Sequence, residues 1–499
     1  MKYTLRKTVC LLSILLAYAV TSAQDITGVW NGSLHVQLKE IPIVFHIARD
    51  SGGKLIATFD SPSQNAFNLP ISEVITKADS VIVMIAILNG KYAGILGGDK
   101  KVIDGQWFQG GGSLPLTVTK TSDTATVKQR QRPQTPTPPF PYQTRDVEYW
   151  NADKSIQYGA TLTFPGADQG NGGTVQGNAS AGPGNPDKKT FPAVILITGS
   201  GQQDRDETLL GHKPFAVIAD QLTRKGFLVL RVDDRGIGKT TGDFSKATSL
   251  DFVKDVEAGL DFLETQPEVN KEKIGLIGHS EGGMIAPIVA GERKDVQFIV
   301  LLAAPGIPIV DLMQEQSAAV SVAEGRTPAE AKASATLLRI IWDEVKKNQD
   351  TATTFQNIRM RIGAWAKTVD TATLAKIRSR NTIPIDEQIR QAMDAMGTVW
   401  YRYFMAFNPQ PYLQKLHCKV LALNGSKDVQ VIASSNLAGI RAALQKSDSR
   451  QYDVIELPGL NHLFQTCTRC SPSEYEDLEE TFSPKAIGIM NDWLLKNVQ

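Results

Sequence analysis

Lys273-Ile274-Gly275-Leu276-Ile277-Gly278-His279-Ser280-Glu281-Gly282-Gly283-Met284-Ile285-Ala286 passes from an apolar run of strand length into helical spacing through a five-residue Gly-x-Ser-x-Gly turn. In a chain with 41 glycines such a match arises easily by chance. Flanked by a strand and a helix, it marks a nucleophile elbow. A serine held in so tight a turn takes strained dihedrals, and the residues two before and two after it must be small for neighbouring backbone to approach. Gly278 and Gly282 meet that need, and the turn lifts the Ser280 hydroxyl to the top of a sheet.

Outward from the elbow the rhythm is that of alternating strands and helices around a largely parallel sheet. Ala193 to Ile197 is a strand ending at Thr198-Gly199-Ser200-Gly201, and Gly226 to Val232 is another ending at Asp233-Asp234-Arg235-Gly236. Phe252 to Leu263 has helical spacing, Phe298 to Leu302 and Lys419 to Leu423 are further strands, and Ile487 to Leu495 is a closing helix. Between two of those strands, from about 305 to 417, the pattern is mainly helical. Ala331 to Lys347 is one apolar stripe, and Ile389, Met393, Met396, Trp400, Tyr403 and Phe407 form a second that reads as one continuous face. Packing explains such stripes by default, but their place as an insertion suggests a lid.

A hydroxyl is a weak nucleophile at neutral pH, so Ser280 needs a base, and imidazole titrates in the right range. Among six histidines, His35 and His46 lie in the N-terminal β region, His212 precedes the serine, His279 is within the elbow, facing away from its neighbour, and His417 precedes the best acid. His462, in the Gly459-Leu460-Asn461-His462 turn after the strand Val454 to Leu457, has the position of a base on a mobile loop. A surface histidine is the bland alternative. Asp428 is the carboxylate in the turn Asn424-Gly425-Ser426-Lys427-Asp428, where it would hold the His462 tautomer; Asp311 is the runner-up. The oxyanion needs two backbone N–H donors, one expected from Glu281 and the other from Ser200 or Gly201. Neither a lysine-containing phosphate loop nor a GxGxxG motif is present, so phosphate binding at the glycines of that loop is remote.

The motifs Gly199 to Glu207, Asp234-Arg235-Gly236-Ile237-Gly238, Gly278 to Gly283, Leu423 to Asp428 and Asn461-His462-Leu463-Phe464 are similar to those of secreted two-domain bacterial carboxylesterases of the EstD type, in the α/β-hydrolase superfamily. The resemblance runs from about Asp146 to the C-terminus and more loosely into the N-terminal region. It implies hydrolysis of small-molecule, short-chain esters through an acyl-enzyme on Ser280, with no metal or organic cofactor. Within it, Asp204, Arg205 and Arg235 read as loop-bracing ion pairs.

The remaining sequence sets the domain plan. Residues 1–23 read as a signal peptide: Lys2, Arg6 and Lys7 precede an apolar run, Val9 to Val20, and Thr21-Ser22-Ala23 offers small residues for cleavage. That run is shorter than the roughly 20 residues of a membrane-spanning helix, so a periplasmic or secreted protein without an integral anchor is expected. Residues 24–122 alternate in short segments, such as Ile43, Phe45 and Ile47, and read as a small β-barrel or sandwich. Residues 123–144 are a proline-rich linker, and 145–499 an α/β-hydrolase domain with a loop of Gly, Asn and Asp at Gly166 to Thr190.

Composition excludes more than it names. With 42% hydrophobic and 21% charged residues the chain is globular, and a net charge of +1 gives no reason to expect a nucleic-acid partner. Cleavage after Ala23 would leave a net charge of −2. Of the cysteines, Cys467-Thr-Arg-Cys470 reads as a local disulfide or two free thiols, with Cys418 left over. Two further readings compete with the esterase. One is a peptidase or amidase using the same groups; the other is a glycan- or lipid-binding protein with a vestigial hydrolase domain.

Overall fold

The computed structural model describes residues 25–499 apart from 37–38, 51, 62–65, 86–89, 110–111, 122–131, 167–189, 348 and 381–382. The signal-peptide reading, the first part of the linker and nearly all of the Gly166 to Thr190 loop lie outside the described residues. The chain divides into two compact units, Met1–Gln129 and Arg130–Gln499.

In the first unit nine strands form one antiparallel sheet: β1 (Gly28–Val36), β2 (Lys39–Arg49), β3 (Leu55–Ser61), β4 (Ala66–Pro70), β5 (Glu73–Lys77), β6 (Ser80–Ile85), β7 (Gly90–Leu96), β8 (Val102–Gln109) and β9 (Gly112–Thr121). The order β4-β3-β2-β1-β9-β8-β7-β6-β5 follows the sequence and returns from β9 to β1, with the seam between β4 and β5. Period-two alternation sends Trp30, Phe45, Phe59, Tyr92 and Trp107 to a single core. Phe45 meets Tyr92 at 5.4 Å and Phe59 meets Trp107 at 6.1 Å, so the sheet curls until distant strands touch. Trp30 is part of this core, its indole N–H donating to the Ile26 carbonyl at 2.8 Å.

The second unit is built on an eight-stranded sheet. Its strands are β10 (Tyr142–Trp150), β11 (Gln157–Pro165), β12 (Phe191–Ile197), β13 (Leu228–Val232), β14 (Val269–His279), β15 (Val296–Leu302), β16 (Lys419–Gly425) and β17 (Tyr452–Leu457), in the order β10-β11-β13-β12-β14-β15-β16-β17. The first two are antiparallel, and from β13 to β17 all pairings are parallel. Helices cover both faces: α2 (Ser249–Thr265), α3 (Gly282–Glu292) and α11 (Ala433–Leu444) on one, α1 (Pro214–Arg224) and α12 (Pro484–Asn497) on the other. Along β12, Ala193, Ile195 and Ile197 enter the first core while Val194 and Leu196 enter the second. That double burial is why the strand reads as a continuous apolar run instead of alternating.

Between β15 and β16 lie α4 (Ile309–Ala323), α5 (Pro328–Val345), α6 (Thr351–Ala366), α7 (Thr371–Arg380), α8 (Ile385–Gly397), α9 (Val399–Ala406) and α10 (Gln410–Leu413). The stripe from Ile389 to Phe407, expected as one helical face, is broken at Thr398. There the backbone is extended and the hydroxyl caps α9 by accepting the Tyr401 N–H at 3.2 Å. Gly397 weakens the helix just before a residue that caps well, so two short helices replace one long one.

From Arg132 onward the proline-rich stretch is bound to the second unit. The Arg132 guanidinium donates to the carbonyls of Leu478, Leu210 and Glu476 at 2.6, 3.0 and 2.9 Å, and the Gln134 amide donates to Phe482 O at 2.7 Å. A free spacer would leave those donors in water.

Candidate active site

Ser280 stands between β14 and α3 at φ 52°, a left-handed conformation costly for a residue with a Cβ. Its own N–H donates to Leu302 O at 2.9 Å, and its carbonyl accepts the Gly283 N–H at 3.0 Å. A Cβ on Gly278 would lie 2.1 Å from Gly282 O, and one on Gly282 would lie 2.1 Å from Ile197 O. Backbone cannot yield that much, so both positions require glycine for the turn to close.

The loop after β12 passes directly beside the serine. A Cβ on Gly199 would sit 3.3 Å from Ser280 Cβ. The Gly199 N–H is taken by Glu207 Oε1 at 2.7 Å. Among the described residues the N–H groups of Ser200, Gly201 and Glu281 have no protein acceptor. The Glu281 carboxyl is buried and accepts from Ser249 Oγ at 2.6 Å and from the Trp400 indole on α9 at 2.9 Å, so the helical insertion reaches the residue after Ser280. Burial pushes that carboxyl above its usual range, against hydrogen bonds from Ser249, Trp400 and Ser200 that favour the ionised form. Asp234, which accepts from Thr198 Oγ1 and the Gln203 N–H, is pushed up to about 7, chiefly by desolvation.

His462 and Asp428 are both buried, with Nδ1 2.9 Å from Oδ2. Asp428 Oδ1 accepts the N–H groups of Gln430 and Val431 at 2.8 and 2.9 Å. A carboxylate that already accepts two donors also accepts from the ring, which puts the histidine proton on Nδ1 and leaves Nε2 as a base. The two turns are tied together: Lys427 N–H donates to Leu460 O at 3.0 Å, and a Cβ on Gly425 would lie 2.2 Å from that same carbonyl oxygen.

The histidine loop and Asp204 differ from expectation, whereas the Cys467–Cys470 disulfide is one of the two states expected. The histidine loop is pinned, since the fully buried Asn461 accepts the N–H groups of Leu463 and Gln465 through Oδ1 at 3.0 and 2.9 Å. Just beyond it Cys467 and Cys470 form a disulfide, and Cys418 is a buried free thiol. The His279 ring lies 4.9 Å from that of His462, centroid to centroid. Asp204 makes no ion pair among the described residues; it accepts from the Asp206 and Thr208 N–H groups and the Thr208 hydroxyl, while Arg205 pairs with Asp233 at 2.6 Å and Arg235 with Asp255 at 2.7 Å. Asp311 sits on α4 paired with Arg339 at 3.0 Å. His212 is buried between Thr481 and Tyr475 O, and burial lowers it to about 4. Among the described residues no cluster of three metal-ligating side chains occurs, and no helix is long and apolar enough to cross a membrane.

The sequence profile described as "serine aminopeptidase, S33" matches residues 213–362, which include the elbow but neither Asp428 nor His462. The sheet order, its helices on both faces and the elbow after β14 agree with that match. The larger unit has the α/β-hydrolase fold. The chain is similar to esterase EstD of Thermotoga maritima, 32% identical over 126 residues, or 25% of this chain and 30% of the relative. An uncharacterized protein of Pseudomonas aeruginosa is 29% identical over 115 residues, 21% and 31% of the two chains. The matches thus span less than a third of these curated relatives. Among solved structures, an esterase of Pyrococcus furiosus covers 72% of this chain and 92% of its own at 14% identity and a TM-score of 0.41.

Proposed function

We propose that the chain is a serine carboxylesterase acting on short-chain esters. The observation that carries this reading is the buried His462–Asp428 hydrogen bond, whose tautomer leaves Nε2 as a base, in the same hydrolase unit as a strained Ser280. Ser280 Oγ attacks the ester carbonyl carbon while His462 Nε2 takes its proton. The resulting oxyanion accepts hydrogen bonds from the N–H of Glu281 and that of Ser200 or Gly201. His462 then gives the proton to the departing alcohol as the C–O bond breaks, leaving an acyl-Ser280 ester. Water repeats the sequence and releases the acid. Asp428 holds the ring throughout and stabilises the imidazolium. Similarity to esterase EstD supports the ester preference, and the basic and apolar start of the chain, residues 1–23, supports export.

The S33 profile favours a second reading, an aminopeptidase using the same groups. At equal concentration, p-nitrophenyl acetate and butyrate are expected to turn over faster than aminoacyl p-nitroanilides, with rates falling as the acyl chain lengthens. Faster cleavage of the anilides would reverse the assignment.

A further inference from the structure

Behind the catalytic histidine lies a second histidine–carboxylate pair that the reaction above does not use. His279 Nδ1 is 2.9 Å from Glu207 Oε1, and Nε2 is 3.1 Å from the carbonyl oxygen of His462. Glu207 Oε1 also accepts the Gly199 N–H at 2.7 Å. Both side chains are more than nine-tenths buried. Three loops therefore meet on this pair: the oxyanion loop through Gly199, the elbow through His279 itself, and the histidine loop through the main chain of His462.

The bonding fixes the proton count. A carbonyl oxygen only accepts, so His279 Nε2 carries a proton. The Nδ1–Oε1 contact needs a second proton between ring and carboxyl, because an imidazole lone pair facing a carboxylate at that distance is repulsive. We propose that Glu207 and His279 are a positioning pair which, by sharing that proton, hold the oxyanion loop and the His462 loop in register with Ser280, and that the register is lost when the proton leaves. The proposal rests on the esterase reading only for its kinetic test.

The surroundings favour keeping the proton. Burial alone disfavours the charged ring, but the Glu207 charge and hydrogen bond, the His462 carbonyl and the more distant Asp428 charge outweigh it and raise His279 above its usual value. The charged and titratable groups facing it are Glu207, Asp428 and His462. Phe215, Leu302, Leu463, Phe464 and Phe482 supply apolar walls. A group raised on folding contributes fully at low pH and loses its contribution as pH climbs through the raised value. Disengagement is thus an alkaline event.

The test is the pH–rate profile of the full-length chain on p-nitrophenyl butyrate. In Glu207→Gln the amide cannot hold both Gly199 N–H and a protonated ring with the same strength, so the alkaline limb is expected to move down by about one pH unit or more. At neutral pH kcat should fall by roughly 10- to 100-fold with KM within about twofold, the pattern of lost alignment. Glu207→Asp, which keeps the charge, should return the limb toward its original position. A uniform fall in rate at every pH, or no fall, overturns the proposal.

A second measurement needs no turnover. In Asp428→Asn protein, where the His462–Asp428 proton is lost, proton NMR should still show one far-downfield, slowly exchanging imidazole N–H, and it should vanish in the Asp428→Asn/Glu207→Gln double variant. Absence of that resonance in folded Asp428→Asn protein overturns the pair. A protein that shows the resonance but hydrolyses no ester keeps the pair and loses the esterase reading; an active esterase with an unmoved alkaline limb does the reverse.

Discussion

Ser280→Ala is expected to lower kcat/KM for p-nitrophenyl butyrate by about 10⁴-fold or more, leaving only what binding and the oxyanion donors supply. The substitution removes one oxygen. Ala, like Ser, carries a Cβ at φ 52°, and the turn's backbone hydrogen bonds to Leu302 and Gly283 involve no side-chain atom of residue 280. The thermal midpoint should therefore stay within a few degrees of the parent. Steady-state kinetics with a melting curve on the same sample checks both, and an undiminished rate contradicts the role of Ser280 outright.

Asp428→Asn is expected to cost about 10⁴-fold in kcat, the order associated with a base held in the wrong tautomer. Oδ1 serves two main-chain donors, Gln430 and Val431, and those contacts orient the side chain. An asparagine there keeps its oxygen on them and turns its NH₂ toward His462 Nδ1. That nitrogen must then accept, and the ring proton moves to Nε2, where the lone pair is needed. Asp311→Asn is the comparison, since that carboxylate is engaged with Arg339 on the helical insertion. Its rate should stay close to the parent's, and equal losses in the two variants would refute the distinction between them.

The α/β-hydrolase fold was legible because the physics behind it is local. A strand buried on both faces reads as an apolar run, and β12, β14, β15 and β16 each do. The elbow is likewise a five-residue constraint, written in Gly278 and Gly282. Asp428 and His462 are 34 positions apart, yet each is marked by a turn at the end of a strand, and their atoms lie 2.9 Å apart.

What escaped has a different origin. Glu207 belongs to an irregular loop with no periodicity, and its contact with His279 spans 72 positions, so no spacing rule reaches it. Nor does any spacing rule bring the His279 ring to the main-chain carbonyl of His462, 183 positions away. The pinning of the His462 loop depends on Asn461, whose side chain caps its own turn. Nothing in its composition separates such a turn from a flexible one. The break at Thr398 was a competition between a weakened helix and a good cap, which an apolar stripe spanning both helices conceals.

The central claim is that Ser280 is a nucleophile activated by His462. Treating the full-length protein with a fluorophosphonate probe, digesting it and locating the adduct by mass spectrometry tests this most directly, because the probe reacts only with an activated hydroxyl. The expected result is one stoichiometric adduct on the peptide containing Ser280, formed quickly in the parent and slowly or not at all in His462→Gln. An unlabelled Ser280, or labelling that is as fast without His462, would contradict the account.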